Sequence, residues 1–100
     1  MAKINWTREA TRELQMLITY LRGNWSKTVA EEFVTTLHEK LKLLQEIPET
    51  GVVSYEYDTI RRLLITPNRV LYYRVTNDQI FILNVFDLLV NAEDNLYPGF

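Results

Sequence analysis

The sequence predicts an α+β domain: a short N-terminal strand and a helical hairpin packed on a small antiparallel sheet, in the order β-α-α-β-β-β. Three observations carry this. Apolar residues recur at the helical period through two successive stretches of the first half. After Gly51 the period changes, and three runs rich in Ile, Leu, Val and Tyr follow. The joins are short, so the helices become antiparallel neighbours and the strands a meander.

Residues 3–6 read as a short strand with Ile4 and Trp6 on one face. Thr7 reads as a helix N-cap, because its hydroxyl can accept from an orphan backbone N–H. Ala10, Leu14, Leu17, Ile18 and Leu21 then form one apolar face, and Gly23 is the expected stop. Ser26 caps a second helix whose stripe is Val29 or Ala30, Phe33, Leu37, Leu41 and Leu44. It runs to about Glu46, and Pro48 cannot continue it. The strand runs are Ile60 to Ile65, Val70 to Val75 and Ile80 to Val85, with Pro67-Asn68 and Asn77-Asp78 as turns. In the middle run Leu71, Tyr73 and Val75 share one face, and Val70, Tyr72 and Arg74 the other. The last run is apolar at nearly every position, as an inner strand requires. Asn91-Ala92-Glu93-Asp94 either opens a short terminal helix or begins a loose tail. Leu88, Leu89, Val90, Leu96, Tyr97 and Phe100 are too apolar for an idle solvated end, so residues 88–100 are expected to pack on the body or on a partner.

One hundred residues suit a single domain spanning 1–100. The absence of cysteine excludes disulfides, thiolate zinc sites and a cysteine nucleophile, and a lone His38 makes a multi-histidine metal site implausible. No signal-length or membrane-length apolar run occurs, so a cytoplasmic chain without a membrane partner is expected. The net charge of −2 is uneven. Residues 57–75 carry Arg61, Arg62, Arg69 and Arg74 against Asp58, whereas residues 76–100 carry four acids and no base. That is a local arginine patch between acidic flanks, not a uniform nucleic-acid surface.

No nucleotide loop, nucleophile elbow or zinc-binding pattern is present, and Asp58, Asp87 and Asp94 have no metal-ligand spacing. No metal and no small-molecule cofactor is expected. His38 lies on the second helix amid Glu39 and Lys40 and reads as a surface residue. The arginines carry more information. Arg61 and Arg62 point to opposite faces of one strand, while Arg69 and Arg74 lie near the ends of the next. Side chains so placed can converge on a phosphate or a carboxylate, with Tyr72 or Tyr73 beside them. Arginine with tyrosine serves single-stranded RNA or an acidic peptide, and equally it can pair with nearby acids and merely cover a sheet face.

Several phrases, taken in order, resemble the RelE/ParE superfamily of type II toxins, the plasmid-stabilisation family. These are Ile4-Asn5-Trp6-Thr7, Leu17-Ile18-Thr19-Tyr20-Leu21, Ala30-Glu31-Glu32-Phe33 and the run Leu43 to Gly51 containing Pro48. The most telling are Ile60-Arg61-Arg62-Leu63-Leu64-Ile65, Arg69-Val70-Leu71-Tyr72-Tyr73-Arg74-Val75 and Ile80-Phe81-Ile82-Leu83. The resemblance covers about residues 4–87. It implies a bacterial growth-inhibiting toxin held inactive by a cognate antitoxin. It also implies one of two targets: mRNA on the ribosome, which RelE-like members cut, or DNA gyrase, which ParE-like members poison. For RNA cleavage it implies Arg62 and Arg69 as cations, with Tyr73 or Tyr97 as a further participant and Tyr97 the one terminal candidate for the acid. Relatives that cleave RNA carry an arginine just after the third strand. This chain reads Phe86-Asp87-Leu88-Leu89-Val90-Asn91-Ala92, with Leu89 in the arginine's place and no Lys, Arg or His after Arg74. Losing such a cation costs roughly 10²–10³ in rate. Binding a target is therefore expected over efficient cleavage, with an mRNA endoribonuclease or a nontoxic antitoxin-binding remnant as the alternatives.

Overall fold

Residues 1–90 and 100 are described by a computed structural model. The chain builds β1 (Lys3–Trp6), α1 (Arg8–Asn24), α2 (Lys27–Glu46), β2 (Val52–Val53), β3 (Arg61–Thr66), β4 (Arg69–Thr76) and β5 (Gln79–Asp87), with a 3₁₀ turn at Pro48–Thr50. The α+β architecture and the helical hairpin are as the periodicity implied.

Local chemistry explains the boundaries. Thr7 is extended, and its Oγ1 accepts from the Ala10 N–H while donating to the Ile82 carbonyl. One hydroxyl thus caps α1 and ties it to β5. Ser26 Oγ accepts from the Val29 N–H at the start of α2. Gly23 does not stop α1, which runs on to Asn24. The Asn24 side-chain amide donates back to the Tyr20 carbonyl, and Trp25 and Ser26 both donate to Leu21. These bonds satisfy carbonyls that a glycine cap would otherwise serve.

The sheet order is β1-β5-β4-β3-β2. The β3-β4-β5 meander is antiparallel, as expected. The β4–β5 turn has Asn77 at φ 50° and Asp78 at φ 61°, the left-handed pair of a two-residue hairpin. The sheet as a whole is mixed, because β1 joins the β5 edge in parallel, Lys3 facing Gln79 and Trp6 facing Ile82. Two bulges interrupt the ladders, one between Leu64 and Thr66 and one where Tyr72 faces Asn84 but Tyr73 faces Ile82.

The helices cover one sheet face. Leu17 and Leu21 of α1 and Phe33, Leu37 and Leu44 of α2 bury against Leu63, Leu71, Tyr73, Ile80 and Ile82. Each fully buried leucine or isoleucine contributes about 1.5–3 kcal/mol before entropy is subtracted. The other face, here called the outer face, holds a smaller cluster of Val70, Tyr72 and Phe86. Among the described residues no helix is long and apolar enough to cross a membrane.

Candidate functional site

The arginines divide by face. Arg62 faces Tyr72 across the β3–β4 ladder, and Arg74 lies two positions further along β4, so both belong to the outer face. The Arg62 guanidinium lies over the Phe100 ring, 5.0 Å from its centroid, and that of Arg74 over the Phe81 ring at 5.9 Å. Arg61 turns the other way and donates to the Glu49 and Gly51 carbonyls. Arg69 also lies on the helix-covered side. Its Nε is 3.3 Å from Asp87 Oδ2, and its guanidinium lies 5.9 Å from the Phe33 ring centroid. The Nε–H is not aligned for a hydrogen bond, so the attraction is between charges. The other carboxylate oxygen of Asp87 accepts from the Leu89 and Val90 N–H groups and shapes the turn leaving β5.

Among the described residues, the site expected from the sequence is therefore not brought together. Arg62 and Arg69 stand on opposite faces of the sheet, and the four arginines do not converge. Tyr73 is fully buried among the helix-side core residues. Its hydroxyl donates to the Pro48 carbonyl and accepts from the Gly51 N–H. Burial pushes its phenol above the ordinary range, against the pull of the Gly51 bond. Gly51 is needed here, since a Cβ at that position would sit 2.6 Å from the Tyr73 oxygen. Tyr97 and the 91–94 helix start lie outside the described residues. Of the apolar tail, Leu88 and Phe100 pack on the outer cluster, whereas Leu89 and Val90 are exposed. His38 is exposed on α2.

Two features had no sequence signal strong enough to single them out. One is the Asp87 partner of Arg69. The other is a 460 Å³ cleft between α1 and the end of β5, lined by Glu13, Met16, Tyr20, Val85 and Val90 among others. Glu13 accepts there from the Asn84 side-chain amide and the Val85 N–H, beside the β5 bulge. Burial holds its carboxyl above the usual carboxylate range, although both hydrogen bonds act the other way.

A family model described as the ParE toxin of type II toxin-antitoxin system, parDE, matches residues 4–87. The chain belongs to this ParE toxin family. It is thus the toxin component of a toxin–antitoxin pair, and an antitoxin is its partner. No curated protein matches the sequence. Among solved structures, the chromosomal ParDE system of P. aeruginosa superposes with TM-score 0.72 at 24% identity, covering 87% of this chain and 96% of that one. A copper-bound mutant toxin from Helicobacter pylori gives TM-score 0.64 at 17% identity, covering 87% and 94%. YafQ from E. coli gives 0.60 at 11%, covering 90% and 97%. At these identities the structures establish a shared fold. The ParE assignment rests on the family match. The Leu-rich run ending at Gly51, noted in the sequence, has a physical role in this ParE chain: it seats the Tyr73 hydroxyl.

Proposed function

We propose that this ParE-family toxin acts by binding a protein target, DNA gyrase, through the outer face of its sheet, and that it does not cut RNA efficiently. The separation of Arg62 from Arg69 carries this reading. Cleavage of a ribose–phosphate link needs a base, a cation and an acid around one phosphate. Arg69 is engaged with Asp87 on the helix-covered side, and the Tyr73 proton is committed to Pro48. By the sequence resemblance Leu89 stands where RNA-cleaving relatives carry an arginine, and that leucine is exposed. Binding requires none of that convergence. Arg62, Arg74, Leu64 and Phe81 lie on one face and supply charge and apolar contact for a protein surface.

The test is a pair of assays on the purified full chain. Inhibition of DNA supercoiling by gyrase, relieved by antitoxin, is the expected result. Cleavage of mRNA on programmed ribosomes without any effect on gyrase would overturn the reading.

A further inference from the structure

The outer cluster includes a residue far from the sheet in sequence. Phe100, like Ile60 and Leu88, packs against the cluster of Val70, Tyr72 and Phe86. Its ring meets Tyr72 edge-on, with centroids 5.5 Å apart and planes at 63°. Tyr72 meets Phe86 in the same manner at 5.7 Å and 65°. The Arg62 guanidinium lies over the Phe100 ring, 5.0 Å from its centroid. One ring and one cation thus contact the Phe100 ring, and a second ring, Phe86, backs the first. This arrangement selects an aromatic side chain, because an aliphatic one gains neither the edge-to-face contact nor the attraction of the guanidinium.

We propose that this pocket is a receptor for an aromatic side chain of the target protein, and that Phe100 is its resident competitor. The proposal rests on the reading that the toxin binds a protein through this face. While the Phe100 ring lies under Arg62, that guanidinium face is closed to any other ring. An incoming Phe or Tyr side chain can remake each contact that Phe100 gives up, so the exchange itself is nearly balanced. The net attraction comes from what the target adds beyond the pocket. Leu64 is 46% exposed and Arg74 is exposed, and both lie on the same face. Resident competition lowers apparent affinity by the fraction of molecules whose pocket is empty. One aromatic pair and one cation–π contact are strong enough to hold that fraction near a tenth to a fifth.

The experiment compares wild type, Phe100→Ala, Phe100→Leu and Phe100→Ala with Arg62→Ala, each checked by thermal melting. Phe100→Ala is expected to bind purified gyrase about five- to tenfold more tightly than wild type. Adding Arg62→Ala should remove the gain. If Phe100→Ala does not fold, Phe100→Leu, which keeps apolar cover but no ring, should show the same direction of change. Separately, N-acetylphenylalaninamide is titrated and followed by NMR. It should shift the Tyr72, Phe86 and Arg62 side-chain signals in Phe100→Ala and leave wild type unmoved. Equal or weaker gyrase binding by the folded Phe100 variants overturns the proposal and leaves the gyrase reading standing. If no form binds gyrase, the amide decides: selective shifts in the variant uphold the pocket while the gyrase reading falls, and no shifts overturn both.

Discussion

Arg69 and Asp87 face each other across β4 and β5 where little water reaches, their side chains 19% and 6% exposed. Arg69→Ala strands the carboxylate without its cation. Breaking such a pair from one side costs about 3 kcal/mol, mostly as a buried charge that has lost its cation. Urea denaturation should show that loss as a lower midpoint, and an unchanged midpoint would refute it. Loss of toxicity in Arg69→Ala would therefore report on folding before it reports on chemistry. Glu13 makes the opposite kind of statement. Its carboxyl titrates above the unfolded value of 4.5, because burial disfavours the charge. The folded state binds the proton more tightly than the unfolded one, so stability is highest below that value and declines as pH rises through the raised one. Glu9 adds to this repulsion from α1, and Arg12 opposes it. Glu13→Gln keeps an oxygen for both donors and carries no charge. It should match wild type at about pH 4 and exceed it at pH 7 by a few tenths of a kcal/mol, the discount for a half-exposed group. Thermal unfolding at both pH values checks this, and a gap of equal size at each would count against it.

At the scale of elements, α1 tests a misreading. Gly23 lies inside the helix, and a Cβ there meets nothing within 4 Å. Gly23→Ala should stabilise by about 0.5–1 kcal/mol, a rise in Tm of roughly 2–8 °C for a domain of this size. A fall in Tm would mean that the glycine is needed at the helix end after all. The helices were legible because caps and apolar stripes are local: Thr7, Ser26 and the leucine spacing suffice. The Asn77-Asp78 turn was legible for the same reason. The direction of β1 was not, since nothing in four residues encodes which neighbour they will join. Within a strand, alternation separated Arg61 from Arg62 correctly. Between strands, register decides which arginines meet. Register here is shifted by two bulges and fixed by packing that periodicity does not contain. The Arg69–Asp87 pair depends on it. The apolar tail announced only that it needs cover.

Across the whole molecule, the sheet separates two unequal environments. The helix-side core accounts for most of the buried apolar side chains, and the outer cluster leaves cations at its margin. Edges are handled differently at the two ends. Beyond β1, Ala2 and Gln45 exchange hydrogen bonds that tie the strand to α2. At the other end β2 is only two residues long, too short to template a neighbouring chain. The parallel pairing of β1 with β5 has a further consequence, in time. Thr7 and the Ile82 carbonyl that accepts its hydrogen bond are 75 residues apart. β1 finds its partner only after β5 has left the ribosome, and the loop to be closed between them is long. A nascent or prematurely ended toxin therefore lacks a finished sheet. The sheet face proposed to bind the target is therefore completed late, which gives a co-produced antitoxin time to be present when it is.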